Sequence, residues 1–157
     1  MASPRRWSLA TVLTAAGIAA GIAAGIACGG DGGTGPKDPQ ACNTTVGTIL
    51  IGQTVTGALT TASCQLADDT FADPWTLQVS VITTLTLDLG STAFDAFLFV
   101  RDASGNLVVQ DDDSGPDFDA RIVHTFGPGT YIVYANAFDV GDVGGYTLSV
   151  AAPPPPP

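Results

Sequence analysis

Five aspartates crowd nine positions of this chain: Asp111, Asp112, Asp113, Asp117 and Asp119, arranged around Ser114-Gly115-Pro116. Carboxylates this close have two chemical uses. A hard cation such as Ca²⁺ gathers roughly six to eight oxygens from neighbouring carboxylates and carbonyls. Aspartate also bonds its own backbone and so shapes turns. The spacing is not that of an EF-hand loop, which would need a ligand where Gly115 stands and a Glu near Ile122. Both uses stay open: a metal site on these five residues, with Ca²⁺ as the cofactor, or a solvated turn.

Asp95 stands apart, inside the apolar run Phe94-Asp95-Ala96-Phe97-Leu98-Phe99-Val100. A carboxylate there is expected to be a structural group with a partner, because an unpaired buried charge is costly. Arg121 is the candidate. Catalysis finds little material. His124 is the only histidine, and it sits in the strand-like Ile122-Val123-His124-Thr125-Phe126. No nucleophile elbow accompanies it, and zinc would need more His or Cys. No Gly-rich phosphate loop precedes a helix. The expectation is a chain without catalytic residues, not an enzyme.

The elements that must position these groups follow from composition. All 15 acidic residues are Asp, with no Glu, against 5 basic residues, for a formal net charge of −10. Such a surface repels phosphate backbones, so nucleic acid is a poor partner. Glu favours helices whereas Asp favours caps and turns. With 19 Gly and 11 Pro supplying turn material, the chain reads as all-β.

Strands are expected at 46–51, 53–59, 75–80, 82–89, 94–101, 106–110, 120–126, 129–136 and 145–151, with breaks at Asp73-Pro74, Gly90-Ser91, Gly127-Pro128-Gly129 and similar clusters. Short strands with turn chemistry between them indicate a sandwich or barrel. Trp75, Leu77 and Val79 share one face of their strand, and Leu85, Leu87 and Leu89 share one face of the next. One greasy and one polar face is the pattern of a two-layer antiparallel sandwich. The run 94–100 is apolar on both faces and reads as a central strand. The aromatics are assigned to the core, except Phe138, a loop residue among acids that could contact sugar or peptide.

Arg5 and Arg6 precede an uncharged run from Leu9 to Ala27, the layout of a secretory signal. A permanent membrane anchor is the alternative, weakened by Gly17, Gly21 and Gly25 within the run. Gly25-Ile26-Ala27-Cys28-Gly29 resembles the lipobox of bacterial lipoproteins, although Gly25 and Ile26 depart from its usual residues. The resemblance implies lipidation at Cys28 and anchoring to the membrane. Of the 3 cysteines, Cys42 and Cys64 then remain as a pair in an oxidising compartment, either bridged or as two buried thiols. A bridge is expected, and closing that loop would contribute about 3 kcal/mol in the chain-entropy model.

Ala72-Asp73-Pro74-Trp75-Thr76-Leu77-Gln78-Val79, the run 94–100, Gly105-Asn106-Leu107 with Asp111-Asp112-Asp113, Gly129-Thr130-Tyr131-Ile132-Val133 and the closing Gly145-Tyr146-Thr147-Leu148-Ser149-Val150 together resemble the bacterial pre-peptidase C-terminal domain, over roughly 45–151. That resemblance implies a jelly-roll-like sandwich, related to clostridial collagen-binding domains and accessory in role. Two departures matter. Val81-Ile82 stands where the family often has a Gly-containing turn, so an irregular hairpin is expected there. The calcium ligands of the collagen-binding relatives include Glu, so they are not carried over.

The expected organisation is a signal at 1–28, a Gly-rich tether at 29–41, a sandwich of about 8–9 strands at 42–152 and a polyproline tail at 153–157. The expected role is a non-catalytic module of the cell envelope that binds an extracellular polymer or envelope protein. A purely structural or secretion-assisting role is the rival, and hydrolysis a distant third.

Overall fold

The computed structural model describes Cys42 and residues 44–153. The signal-like segment, Cys28 and the tether lie outside the described residues, as does all of the proline tail beyond Pro153.

Ten strands and no helix occur among the described residues: β1 Gly47–Ile49, β2 Gln53–Leu59, β3 Cys64–Gln65, β4 Phe71–Val79, β5 Thr83–Gly90, β6 Ala96–Asp102, β7 Leu107–Asp111, β8 Ala120–Phe126, β9 Gly129–Ala137 and β10 Gly144–Ala151. They form two sheets. The larger runs β1-β4-β9-β6-β7 with β3 also on β4, and the smaller runs β2-β10-β5-β8. Pairing is antiparallel except between β1 and β4. The chain is an all-β, two-layer sandwich.

Alternation builds the core. Leu77 and Val79 of β4, Leu98 and Val100 of β6 and Val133 and Ala135 of β9 meet Leu85, Leu87 and Leu89 of β5, Ile122 and Phe126 of β8 and Leu148 and Val150 of β10. Successive strand side chains point to opposite faces, so each strand gives its odd or its even set to this layer. His124 is on the inward face of β8, half-buried, its ring 4.8 Å from Phe126 and edge-on to it.

The sequence differs from its expected elements in three places. β3 is too short to register as a strand pattern; its two residues pair with Phe71 and Ala72. β4 begins at Phe71 and runs through the anticipated break at Asp73-Pro74. Proline is tolerated there because Pro74 O accepts from Val46 N at 2.8 Å, on the side of the strand away from β9. A strand residue's N and C=O point the same way, so the missing donor falls between the end of β3 and the start of β1, where no ladder bond is lost. Val81 and Ile82 are exposed and carry the chain from one sheet to the other, so no hairpin forms there.

One polar chain ties the layers together. Trp75 Nε1 donates to Tyr146 Oη (2.9 Å), which donates to Asp73 Oδ2 (2.9 Å). Burial pushes the Tyr146 phenol far up its scale, and the nearby Asp73 adds to the effect while the Trp75 bond opposes it. The ring has room because Gly57, opposite it on β2, has no side chain; a Cβ there would overlap Tyr146.

Candidate binding face

The larger sheet is unusual on its outer side. Register places Ala72, Asn136 and Phe97 in one row across β4, β9 and β6; Pro74, Tyr134, Phe99 and Gln110 in the next; and Thr76, Ile132, Arg101 and Leu107 in a third. Most of these are apolar or aromatic, on the side of the sheet that would ordinarily be solvated. Phe99 and Tyr134 stack at 4.4 Å, nearly parallel, and the Arg101 guanidinium lies 5.5 Å from the Phe99 ring centre. Burial raises the Tyr134 phenol, with Arg101 opposing.

A strap covers part of this surface. Cys42 and Cys64 are bridged, with Cα atoms 5.5 Å apart. Cys42, Leu66, Ala72, Phe99 and Tyr134 form a second, smaller hydrophobic cluster, with Phe97 and Ile132 partly buried against it. The loop after β3 is locked by Leu66 N to Thr70 O (2.9 Å) and by Asp68 Oδ1, which accepts from Thr70 N and Oγ1.

The strap stops short of the whole face. Beyond Leu66 a cleft of about 320 Å³ opens between the 66–68 loop and the wall of Phe97, Phe99, Arg101, Leu107 and Gln110, and it reaches Asn136. Asn136 is 3% exposed, and its Oδ1 has no hydrogen-bond partner. Phe138, just past β9, is 52% exposed and sits 6.2 Å from Phe97, edge to face.

The aspartate loop is organised differently. Asp111 accepts from Ser114 N, Ser114 Oγ and Arg121 N; burial raises its carboxyl, but these bonds together outweigh that and hold it below its usual value. Asp119 Oδ1 accepts from Ser91 N, and Asp112 Oδ1 accepts from Asp113 N. Asp117 and Phe118 both adopt positive φ, and Phe118 is 72% exposed, outside the core to which aromatics were assigned. Asp111, Asp112 and Asp119 thus each engage separate backbone donors. Among the described residues, no group of three or more His, Cys, Asp or Glu is disposed to hold a metal ion.

Asp95 lies just ahead of β6, half-buried, with Oδ1 enclosed and without a partner. Its expected partner is elsewhere. Arg121 faces outward on β8, where register sets it opposite Asp88, and its Nε donates to that carboxylate. Burial raises the Asp95 carboxyl, and the charges of Asp113, Asp139, Asp112 and Asp142 raise it further.

Sequence reasoning assigns Phe99 and Tyr134 to the core, and both are buried in the smaller cluster, whereas Phe97, assigned there too, is only partly buried and Asn136 is given no role. A signal was present: Ile132, Tyr134 and Asn136 alternate with Val133, Ala135 and Ala137, and a strand apolar on both faces must have both faces covered.

No family model and no curated protein sequence matches the chain. Among solved structures it is similar to the pre-peptidase C-terminal domain of a collagenase from Bacillus anthracis, at TM-score 0.54 and 21% identity over 68% of this chain and 96% of that one. It is also similar to PliG of Aeromonas hydrophila, a periplasmic inhibitor of g-type lysozyme, at TM-score 0.46 and 13% identity over 69% of this chain and 98% of that one. The first of these establishes the fold: the β-sandwich of a pre-peptidase C-terminal domain.

Proposed function

We propose that this chain is an exported, non-catalytic binding module of the cell envelope, and that it meets an extracellular protein or polymer through the outer face of its larger sheet. The supporting observation is the exposed Phe138 and partly buried Phe97 beside a buried Asn136 oxygen that no protein group satisfies. Aromatic anchors around a small number of placed polar groups are the usual make-up of a binding surface. The lone His124, packed against Phe126, favours the non-catalytic reading.

In this reading residues 1–28 are a signal, Cys28 carries the lipid that anchors the protein, 29–41 form a tether and 42–152 the presented sandwich, followed by the proline spacer. The rival reading, a structural or secretion-assisting domain, draws support from the smaller sheet, whose outer face is small and polar.

Retention of the purified chain on isolated envelope, before and after protein is stripped from it, tests the proposal. Phe97→Ala/Phe138→Ala should lose retention at least tenfold, while Thr54→Ala/Thr147→Ala should retain it. Equal retention by all three proteins would leave the structural reading standing. Mass spectrometry of the same material reads the lipid on Cys28.

A further inference from the structure

Resting on that reading and naming its partner more closely, we propose that a second opening on the same face, beside Arg101 and Tyr134, receives the terminal carboxylate of a peptide chain.

The opening holds about 410 Å³ between the strap at Cys42 and the β6–β7 hairpin, with Arg101, Asp102, Ser104, Ile132 and Tyr134 on its walls. Tyr134 stacks on Phe99, and the Arg101 guanidinium lies 5.5 Å from the centre of the same ring. The two polar groups are therefore neighbours, and the Arg101 charge reaches the Tyr134 phenol. Both have donors to spare. Among the described residues, the enclosed side-chain polar atoms that lack a partner are Asp95 Oδ1 and Asn136 Oδ1. Tyr134 is 7% exposed, and its Oη has no protein partner and is not enclosed, so the tip of a buried ring opens into the cavity it lines. Arg101 Nη1 donates to Gly105 O at 2.8 Å. Its Nε and Nη2 are unpaired and likewise not enclosed, and a bond to a neutral carbonyl leaves the positive charge uncancelled.

Charge sets the ligand. Arg121 is paired with Asp88 on the other sheet, so among the described residues Arg101 is the guanidinium without a carboxylate. A planar fork beside a hydroxyl donor matches the two oxygens of a carboxylate. Asp102, also on the wall, turns its carboxylate to Ser104 N, Asn106 N and Asn106 Nδ2, and it repels a second negative charge. The aspartates at 68–69, 95, 111–119 and 139–142 belong to the opposite end of the sheet, where β4 and β6 begin and β7 and β9 end. The opening therefore accepts one carboxylate and no more. A chain end brings that single charge, with an apolar side chain to lie on Ile132. A uronic sugar brings it too, but sugar rings seat on open aromatic faces, and here the Tyr134 ring is stacked on Phe99 and clustered with Cys42.

The experiment uses the full exported chain and short, otherwise uncharged synthetic peptides ending in Leu, Val or Ala, each made with a free and with an amidated C-terminus and followed by fluorescence anisotropy. The free acids should bind, and amidation should weaken them by roughly tenfold or more, the worth of one hydrogen bond to a charged group. Arg101→Gln should weaken the acids as much and erase their advantage over the amides. Tyr134→Phe should also weaken them while leaving Tm unchanged, an outcome a purely structural hydroxyl would not give. The amidated peptides need no variant, so the test survives a misfolded one. Equal binding of acid and amide, or binding of neither, overturns the proposal. An acid preference that survives both substitutions overturns the pocket. Arg101-dependent binding of an oligogalacturonate, with none of peptide, overturns the peptide chain. Envelope retention that needs Phe97 and Phe138 while every peptide fails removes the pocket and leaves the face. Retention that ignores those two residues, while acids bind through Arg101 and Tyr134, removes the proposed aromatic contact and leaves the pocket.

Discussion

The two outer faces of this sandwich are built from opposite materials. On the smaller sheet Thr54, Thr56, Thr84, Thr86, Thr125, Thr147 and Ser149 point outward, with Asp88 paired to Arg121 and Thr84 Oγ1 bonded to Thr125 Oγ1 at 2.7 Å. Its visible polar pairs are satisfied within the sheet. On the larger sheet the corresponding side carries Phe97, Phe99, Ile132 and Tyr134, a disulfide strap across part of them, and an asparagine oxygen left without a partner. A sheet that needs only water outside can be finished with threonine. One that keeps aromatics on its outer side must cover them, and the strap covers Phe99 and Tyr134 while leaving Phe97 only partly buried.

The contrast can be strained from several directions. Removing the strap should have the largest effect. Cys42→Ser/Cys64→Ser should lose about 3 kcal/mol in urea unfolding, the value for closing a loop of this size, and should expose Phe99 and Tyr134 to a hydrophobic dye. A loss well under 1 kcal/mol would mean that the strap does little for the larger sheet. Tyr146→Phe strips the inter-sheet chain, leaving Asp73 and the Trp75 N–H short of a partner. It should cost about 1–3 kcal/mol, read by the same unfolding curve, and should leave envelope retention intact because the ring lies inside the core.

Asp95 offers a pH test. Its carboxyl is raised in the fold, so the folded chain holds a proton more tightly than the unfolded chain. Stability therefore falls as pH rises from the ordinary carboxylate range through the raised value, and the loss persists at neutral pH. Asp95→Asn should raise Tm at pH 7, on the order of 2–4 °C, with the gain fading once pH drops below the unfolded carboxylate range. A variant equally stabilised at both extremes would contradict the assignment. On the smaller sheet Thr84→Ala should cost only about 0.2–1 kcal/mol, measured by thermal unfolding. Smallest of all, Tm should be the same in excess EDTA and in millimolar calcium, because Asp111, Asp112 and Asp119 are already engaged by separate backbone donors.

Much of the fold was legible. Leu85, Leu87 and Leu89 against Thr84, Thr86 and Asp88 declare a strand with one wet side, and the structure has β5 there with those leucines fully buried. Cys42 and Cys64 were paired by parity. The failures share a cause: local pattern does not report what lies across a sheet. Pro74 looked like a break because its missing donor matters only if a neighbour needs it, and none does. Arg121 was matched to Asp95 by charge alone, whereas register gives it Asp88. In the aspartate cluster, spacing did not show that Asp111 takes donors from Ser114 and Arg121 and Asp119 one from Ser91. Asn136 was missed because one polar residue in an apolar strand is unremarkable until its register neighbours, Ala72 and Phe97, are known.

Under the proposed function, contact is made by the outer face of the larger sheet. Backbone hydrogen exchange, compared between the free chain and the chain retained on envelope, reads this directly. Exchange should slow at residues 66–68, 97–101 and 134–138 and stay unchanged at 54–56, 84–88, 121–125 and 147–149. Slowing confined to the threonine face, with the aromatic face exchanging as in the free chain, would contradict it.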